Sequence, residues 1–144
     1  AQMLLGDPVK ITATGTLHNG ESESFASAVL EYASGARAVI NVSGKAHLPT
    51  TASVSGTLGV VLVDGPFFIP SGIELRPALY NSHGPKWKDE SSIQGHAGLC
   101  YQVTAFASFV DQGLLESPLQ SHHDTVSVIK IGEEIRRQLG VKIS

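Results

Sequence analysis

The sequence predicts an α+β fold: an open, predominantly antiparallel β-sheet with helices packed on one face. Three observations predict it. The first half alternates apolar and polar residues in short runs broken by turn residues, which is the period of half-buried strands. The last third carries apolar residues three and four apart, the period of amphipathic helices. Strands come first and helices last, with no βαβ alternation that would build a parallel sheet.

The elements follow in order. Val9–Leu17 is rich in β-branched residues and places Ile11, Ala13, Gly15 and Leu17 on one face. His18, Asn19 and Gly20 then form a turn signal, because Asn-Gly tolerates positive φ. Ser24–Tyr32 alternates again, Ser34-Gly35 marks a turn, and Ala36–Ser43 puts Ala38, Ile40 and Val42 on one side. Thr51–Ser55 and Val60–Val63 make a hairpin around Gly56–Gly59, and Ile73–Leu79 reads as the last strand. Tyr80–Gly98 is polar, Gly-rich and without a period, so it reads as a long loop that carries Trp87 among Lys86, Lys88 and Asp89.

Leu99, Val103, Phe106 and Val110 then recur at helical spacing, with Gly113 as a stop and Pro118 blocking continuation. Ser121 with Asp124 three residues on is a capping-box start. Val128, Ile131, Ile135 and Leu139 form one apolar stripe, and Gly132 on it suggests a close approach. Lys130–Glu134 and Glu133–Arg137 are spaced to pair on the wet side, and Gly140 ends the helix.

Size and composition bound the function. The 144 residues suffice for a single domain spanning 1–144 with a real core, and 42% hydrophobic against 16% charged residues predicts a globular chain. With 10 Lys and Arg against 13 Asp and Glu there is no basic patch for nucleic acid. The one cysteine excludes an internal disulfide. No apolar run reaches the roughly 18 residues of a membrane span, and the start lacks a signal-peptide layout, so the expected location is the cytoplasm.

Few residues offer chemistry. Pro66-Phe67-Phe68-Ile69-Pro70 is a rigid aromatic turn beyond a strand, which suits a core plug, a cover for the sheet edge or an apolar pocket wall. His96 lies just before a helix start, where free N–H groups favour an anionic or hydroxyl-rich ligand; a loop histidine bonded to backbone is the plainer alternative. Tyr101, one turn into that helix, either packs or faces the same cleft. His122 and His123 are neighbours that do not share a helix face and make a poor chelate. His18, His47 and His83 have no ligand partner at spacing, so no metal is expected. Cys100 is expected to be a buried, inert thiol.

Three blocks then carry a resemblance. TASVSGTLG at Thr51–Gly59 is followed by VVLVDGPFFIP to Pro70. GLCYQVTAF at Gly98–Phe106 leads to GLLESP at Gly113–Pro118. Asp124–Val141 closes with EEIRRQLGV. Together with the opening LLGDPVKITATG they resemble the C-terminal domain of the glucose–fructose oxidoreductase / inositol dehydrogenase (Gfo/Idh/MocA) superfamily, nearest to its dimeric dihydrodiol dehydrogenase and NADP-dependent D-xylose dehydrogenase branch.

The resemblance implies a sheet whose one face roofs a substrate pocket and whose other parts form a homodimer interface. It implies an NAD or NADP cofactor, and a sugar, polyol or diol substrate. It carries Phe68 over as the aromatic pocket wall and Ile93 as a second wall position, often aromatic in the family. It also implies that the Gly-rich nucleotide loop, the Glu-Lys-Pro lysine and an acid/base His or Tyr lie upstream, with this chain starting just after the catalytic helix. No G-x-G-x-x-G follows a strand here, and neither Lys45 nor Lys86 sits in a Glu-Lys-Pro context. The expectation is therefore a substrate-pocket and dimerisation domain with no catalytic, cofactor-binding or metal residues of its own, inactive alone. The competing reading is a stand-alone scaffold or binding module that uses the sheet for protein association.

Overall fold

A computed structural model describes residues 1–19, 22–79 and 82–141. Gly20 of the first turn and Tyr80 at the start of the long loop lie outside the described residues. The element order is α1 (Gln2–Leu5), β1 (Lys10–His18), β2 (Ser22–Glu31), β3 (Arg37–Ser43), β4 (Ala52–Gly56), β5 (Gly59–Val63), β6 (Gly72–Pro77), β7 (Lys86–Lys88), a 3-10 helix (Gly95–Gly98), α2 (Leu99–Asp111) and α3 (His122–Leu139). All described strand pairs are antiparallel, so the class is α+β as the patterning predicts. The strands form two sheets rather than one, ordered β1-β2-β3 and β4-β5-β6-β7. The chain divides into two compact units, Ala1–Leu48 with Leu114–Ser144, and Pro49–Gly113.

In the first unit α3 packs on β1. One sheet face carries Ile11, Ala13, Gly15 and Leu17 on β1 and Ala26, Ala28 and Leu30 on β2, as the alternation predicts. Ala26, Ala28 and Leu30 are buried, with Tyr32 and Val141 completing the core. The close approach lies at Gly15 and not at Gly132. A Cβ on Gly15 would stand 3.0 Å from Leu139 Cδ2 and collide with the Phe25 carbonyl oxygen, whereas one on Gly132 would meet nothing within 4 Å.

The ends of α3 are well determined. Ser121 Oγ accepts from Asp124 N at 3.1 Å, and Ser121 N donates to Asp124 Oδ2 at 3.1 Å, the reciprocal capping box. Gln2 Nε2 of α1 donates to Asp124 Oδ1 at 3.1 Å, which ties the first helix to this cap. Gly140 takes the left-handed conformation that ends the helix. The ion pairs differ from the spacing rule. Arg137 forks onto Glu134 three residues back rather than Glu133, and Arg136 reaches Glu23 on β2 at 3.0 Å. Glu134 is also held by Gln138 Nε2 at 2.7 Å, so its carboxylate is already placed for the Arg137 fork. Exposed pairs of this kind contribute at most about 1 kcal/mol.

In the second unit the β4–β5 hairpin turns through Thr57-Leu58, with Gly56 opposite Gly59. Residues opposite each other share a face, so Val54, Val61 and Leu75 line one side together with Val63, Ile73 and Trp87. The other side carries Ser53, Ser55, Glu74, Arg76, Lys86 and Lys88. There Glu74 is held near pKa 2, chiefly by its hydrogen bonds from Arg76. The long segment after β6 is not featureless: it contains β7 and the 3-10 helix. Three residues, KWK, are too few for a visible period, which is why the sequence reads as loop. Trp87 is thus a strand residue, 56% exposed on the apolar face. The stripe of α2, Leu99, Val103, Phe106 and Val110, is exposed as well.

Candidate functional site

The four candidate residues all fall in the second unit. Phe68 sits in the Pro66–Pro70 turn beyond β5. The turn is fastened by Phe67 N donating to Thr50 O at 2.7 Å and Ile69 N donating to Pro66 O at 3.0 Å. Prolines at both ends restrict its backbone, and the two phenyl rings meet edge to face at 5.7 Å. Both rings stay half-exposed, Phe68 at 60%. A core plug would be covered, so the turn presents its rings outward.

Ile93 lies in the segment between β7 and the 3-10 helix. That segment is tied to the end of the same turn, because Asp89 N donates to Ser71 O at 2.8 Å. Asp89 Oδ1 accepts from Ser91 N at 2.9 Å, Ser91 Oγ donates to the Ile93 carbonyl at 3.1 Å, and Gln94 Nε2 donates to Asp89 O at 2.6 Å. The Ser91 amide bond is the main cause that holds the Asp89 carboxyl below its ordinary pKa. Gly95 follows with φ of 60°, and the place of its missing Cβ is 3.9 Å from Ile69 Cδ1. Ile69 of the aromatic turn and Gly95 at the start of the 3-10 helix are therefore neighbours, with room for about one methyl group between them.

His96 is in that 3-10 helix and exposed. Tyr101, 57% exposed, is in the first turn of α2, with its ring edge beside Gly98. The structure thus brings together the segments bearing Phe68, Ile93 and His96. It records no hydrogen bond among the four side chains themselves. Two shallow depressions lie elsewhere in the unit. One, about 520 Å³, is lined by Val54, Leu58, Val61 and Leu75, and the other, about 360 Å³, by Ser53, Asp64, Glu74 and Arg76. Neither includes the four candidates, and both are wide open.

Asp89, Ser91 and Gln94, which shape this loop, do not stand out in the sequence. The Asp-x-Ser spacing is a local signal for such a side-chain-to-backbone turn. Cys100 departs from expectation: it is exposed, as Leu99 and Val103 on the same helix are. His122 and His123 are exposed first-turn residues, and the His122 amide donates to Glu116 Oε2 at 2.7 Å. Among the described residues no cluster of three His, Cys, Asp or Glu side chains gathers as a metal site.

The described glycines do not fit a dinucleotide. A pyrophosphate is cradled where a parallel strand turns into a helix. Here every described pairing is antiparallel, and Gly56 faces Gly59 across a hairpin. No described helix is long and apolar enough to cross a membrane.

Comparison with known proteins agrees with this architecture. Residues 1–62 match the family described as GFO/IDH/MocA C-terminal domain. Trans-1,2-dihydrobenzene-1,2-diol dehydrogenase of Xenopus tropicalis is 28% identical over 134 residues, which is 93% of this chain and 41% of the relative. The Sus scrofa enzyme of the same name is 27% identical, over 93% of this chain and 40% of its own length. The chain thus spans about two fifths of the length of these relatives.

Two solved structures share the fold. The aldose-aldose oxidoreductase of Caulobacter crescentus superposes with a TM-score of 0.69 at 20% identity, over 92% of this chain and 39% of that one. An oxidoreductase of Agrobacterium radiobacter gives 0.71 at 16%, over 95% and 42%. Residues 1–62 thus match the family that the sequence motifs resemble, and the solved structures share the fold of the whole chain.

Proposed function

We propose that residues 1–144 form the C-terminal domain of an NAD(P)-dependent oxidoreductase acting on a hydroxyl-bearing carbon of a sugar, polyol or diol, in the cytoplasm. The observation that carries the reading is the likeness to dihydrobenzenediol dehydrogenases over 93% of the chain. A bound nicotinamide would supply the hydride acceptor for such a reaction, and a base would take the hydroxyl proton. The nucleotide site and the proton-transfer residues belong to a part of the protein outside these residues. This domain contributes shape. Phe68 and Ile93 form an apolar wall, and His96 and Tyr101 offer polar contacts to substrate hydroxyls from the 3-10 helix and the start of α2. By itself the domain is inactive.

We propose further that the protein is a homodimer through its open sheet. The apolar side of β4–β7 supports this, with Val54, Leu75 and Trp87 all more than 40% exposed. Exposed contiguous apolar faces mark association sites. The same feature favours the second reading, a binding module without catalysis, and activity of the longer protein separates the two.

The substrate wall is tested by Phe68→Ala in the longer enzyme. Losing the apolar contact of one ring face is worth about 1–2 kcal/mol of substrate binding. KM should rise about 5- to 30-fold with kcat little changed. An unchanged KM for the diol would remove Phe68 from the pocket.

A further inference from the structure

The last turn of α3 carries Gln138, whose carboxamide reaches the outer edge of β1. Its Oε1 accepts from the Ala13 amide at 2.7 Å and its Nε2 donates to the Ile11 carbonyl at 2.8 Å. Alternate residues of an antiparallel strand aim their backbone groups to opposite sides. Ile11 and Ala13 point away from β2, into the position a further strand would take. A carboxamide offers one acceptor and a donor close together, which reproduces the pair of bonds an incoming strand makes.

The amide is pinned from behind. Gln138 Nε2 also donates to Glu134 Oε1 at 2.7 Å, and Arg137 holds Glu134 with two bonds of 2.7 Å. The Arg137 hydrogen bonds are the main cause that holds Glu134 near pKa 2, so it stays an acceptor through the working pH range.

We infer that Gln138 is an edge guard: it fills the hydrogen-bonding slots of Ile11 and Ala13 and so keeps a strand of a second copy of this chain from adding to β1. Assembly is thereby directed to sheet faces and away from this edge. The inference stands independently of the oxidoreductase reading, because it concerns the backbone of β1 alone.

Amide exchange and light scattering test it. In the wild-type chain the Ala13 amide should be protected like those of its neighbours Thr12 and Thr14, although it faces away from β2. In Gln138→Met, which keeps length and helix propensity but bonds nothing, Ala13 should exchange about tenfold or more faster, the loss of one hydrogen bond. The variant's mass should also rise with concentration above that of wild type. Adding Thr12→Lys, a charge beside the opened slot, should return the mass to the wild-type value while Ala13 stays fast. An unprotected Ala13 amide in wild type overturns the proposal whatever the variants do. So does a folded Gln138→Met of unchanged mass, or association that Thr12→Lys fails to reverse.

Discussion

Alanine at Gly15 and at Gly132 should have opposite effects, and the pair tests how α3 is laid on β1. At Gly15 the added Cβ would come within 3.0 Å of both Ala26 Cα and Leu139 Cδ2, and nearer still to the Phe25 carbonyl oxygen. The Leu139 methyl can rotate away; the backbone of β2 cannot. Either the two strands part or the ladder kinks. Overpacking of this kind costs about 1–3 kcal/mol. At Gly132 the new methyl meets nothing within 4 Å, and the only effect is helix propensity, a gain of about 0.5–1 kcal/mol. The two variants should therefore differ by about 2–4 kcal/mol. At roughly 2–5 °C per kcal/mol for a chain of this size, thermal denaturation followed by circular dichroism resolves that gap easily. A Gly15→Ala protein melting at or above wild type would refute the packing described for β1, β2 and α3. A destabilised Gly132→Ala would show that α3 approaches a neighbour along the face read as open.

The remaining predictions concern the helix cap and the sheet face. Ser121→Ala should cost about 1 kcal/mol in urea denaturation, since it removes the acceptor for the Asp124 amide. The Ser121 hydroxyl first, and then the Gln2 amide, hold the Asp124 carboxyl below its ordinary value. A depressed folded pKa stabilises above the unfolded value, about 3.9, and the benefit disappears as pH falls through the folded value. Asp124→Asn should thus lose stability less steeply than wild type on acidification below about pH 4; identical slopes would remove this carboxylate from the acid response. Trp87→Ser should weaken the proposed dimer by about 30-fold, as expected for an aromatic anchor worth about 2 kcal/mol. Unchanged dissociation by light scattering would move the interface off the β4–β7 face.

Much of this fold is legible because its signals are local. Asn19 takes the positive φ that Asn-Gly turns require. Ser121 and Asp124 form the capping box that their spacing announces. Gly113 and Gly140 terminate their helices as expected. What sequence misses depends on distant partners. Gly132 looks like a packing notch because it lies on the stripe, yet which glycine meets a neighbour depends on where Leu139 lands on β1. Arg137 chooses Glu134 over Glu133 because Glu134 is also gripped by Gln138, a contact with β1 as its third party. The KWK strand is too short to show its period and exists because β6 offers an edge. The candidate site is legible to the same degree. Its aromatic turn shows in five consecutive residues, while the Asp89–Gln94 loop that sets the 3-10 helix against it reads only as polar sequence.

The central claim is that these residues shape a pocket for a reaction whose nucleotide is held elsewhere. Titration of the 144-residue chain with NADPH, followed by fluorescence and calorimetry, tests it most directly. No saturable binding to the chain is expected, and micromolar binding is expected once a nucleotide-binding domain is present. Micromolar saturation by the chain alone would contradict it.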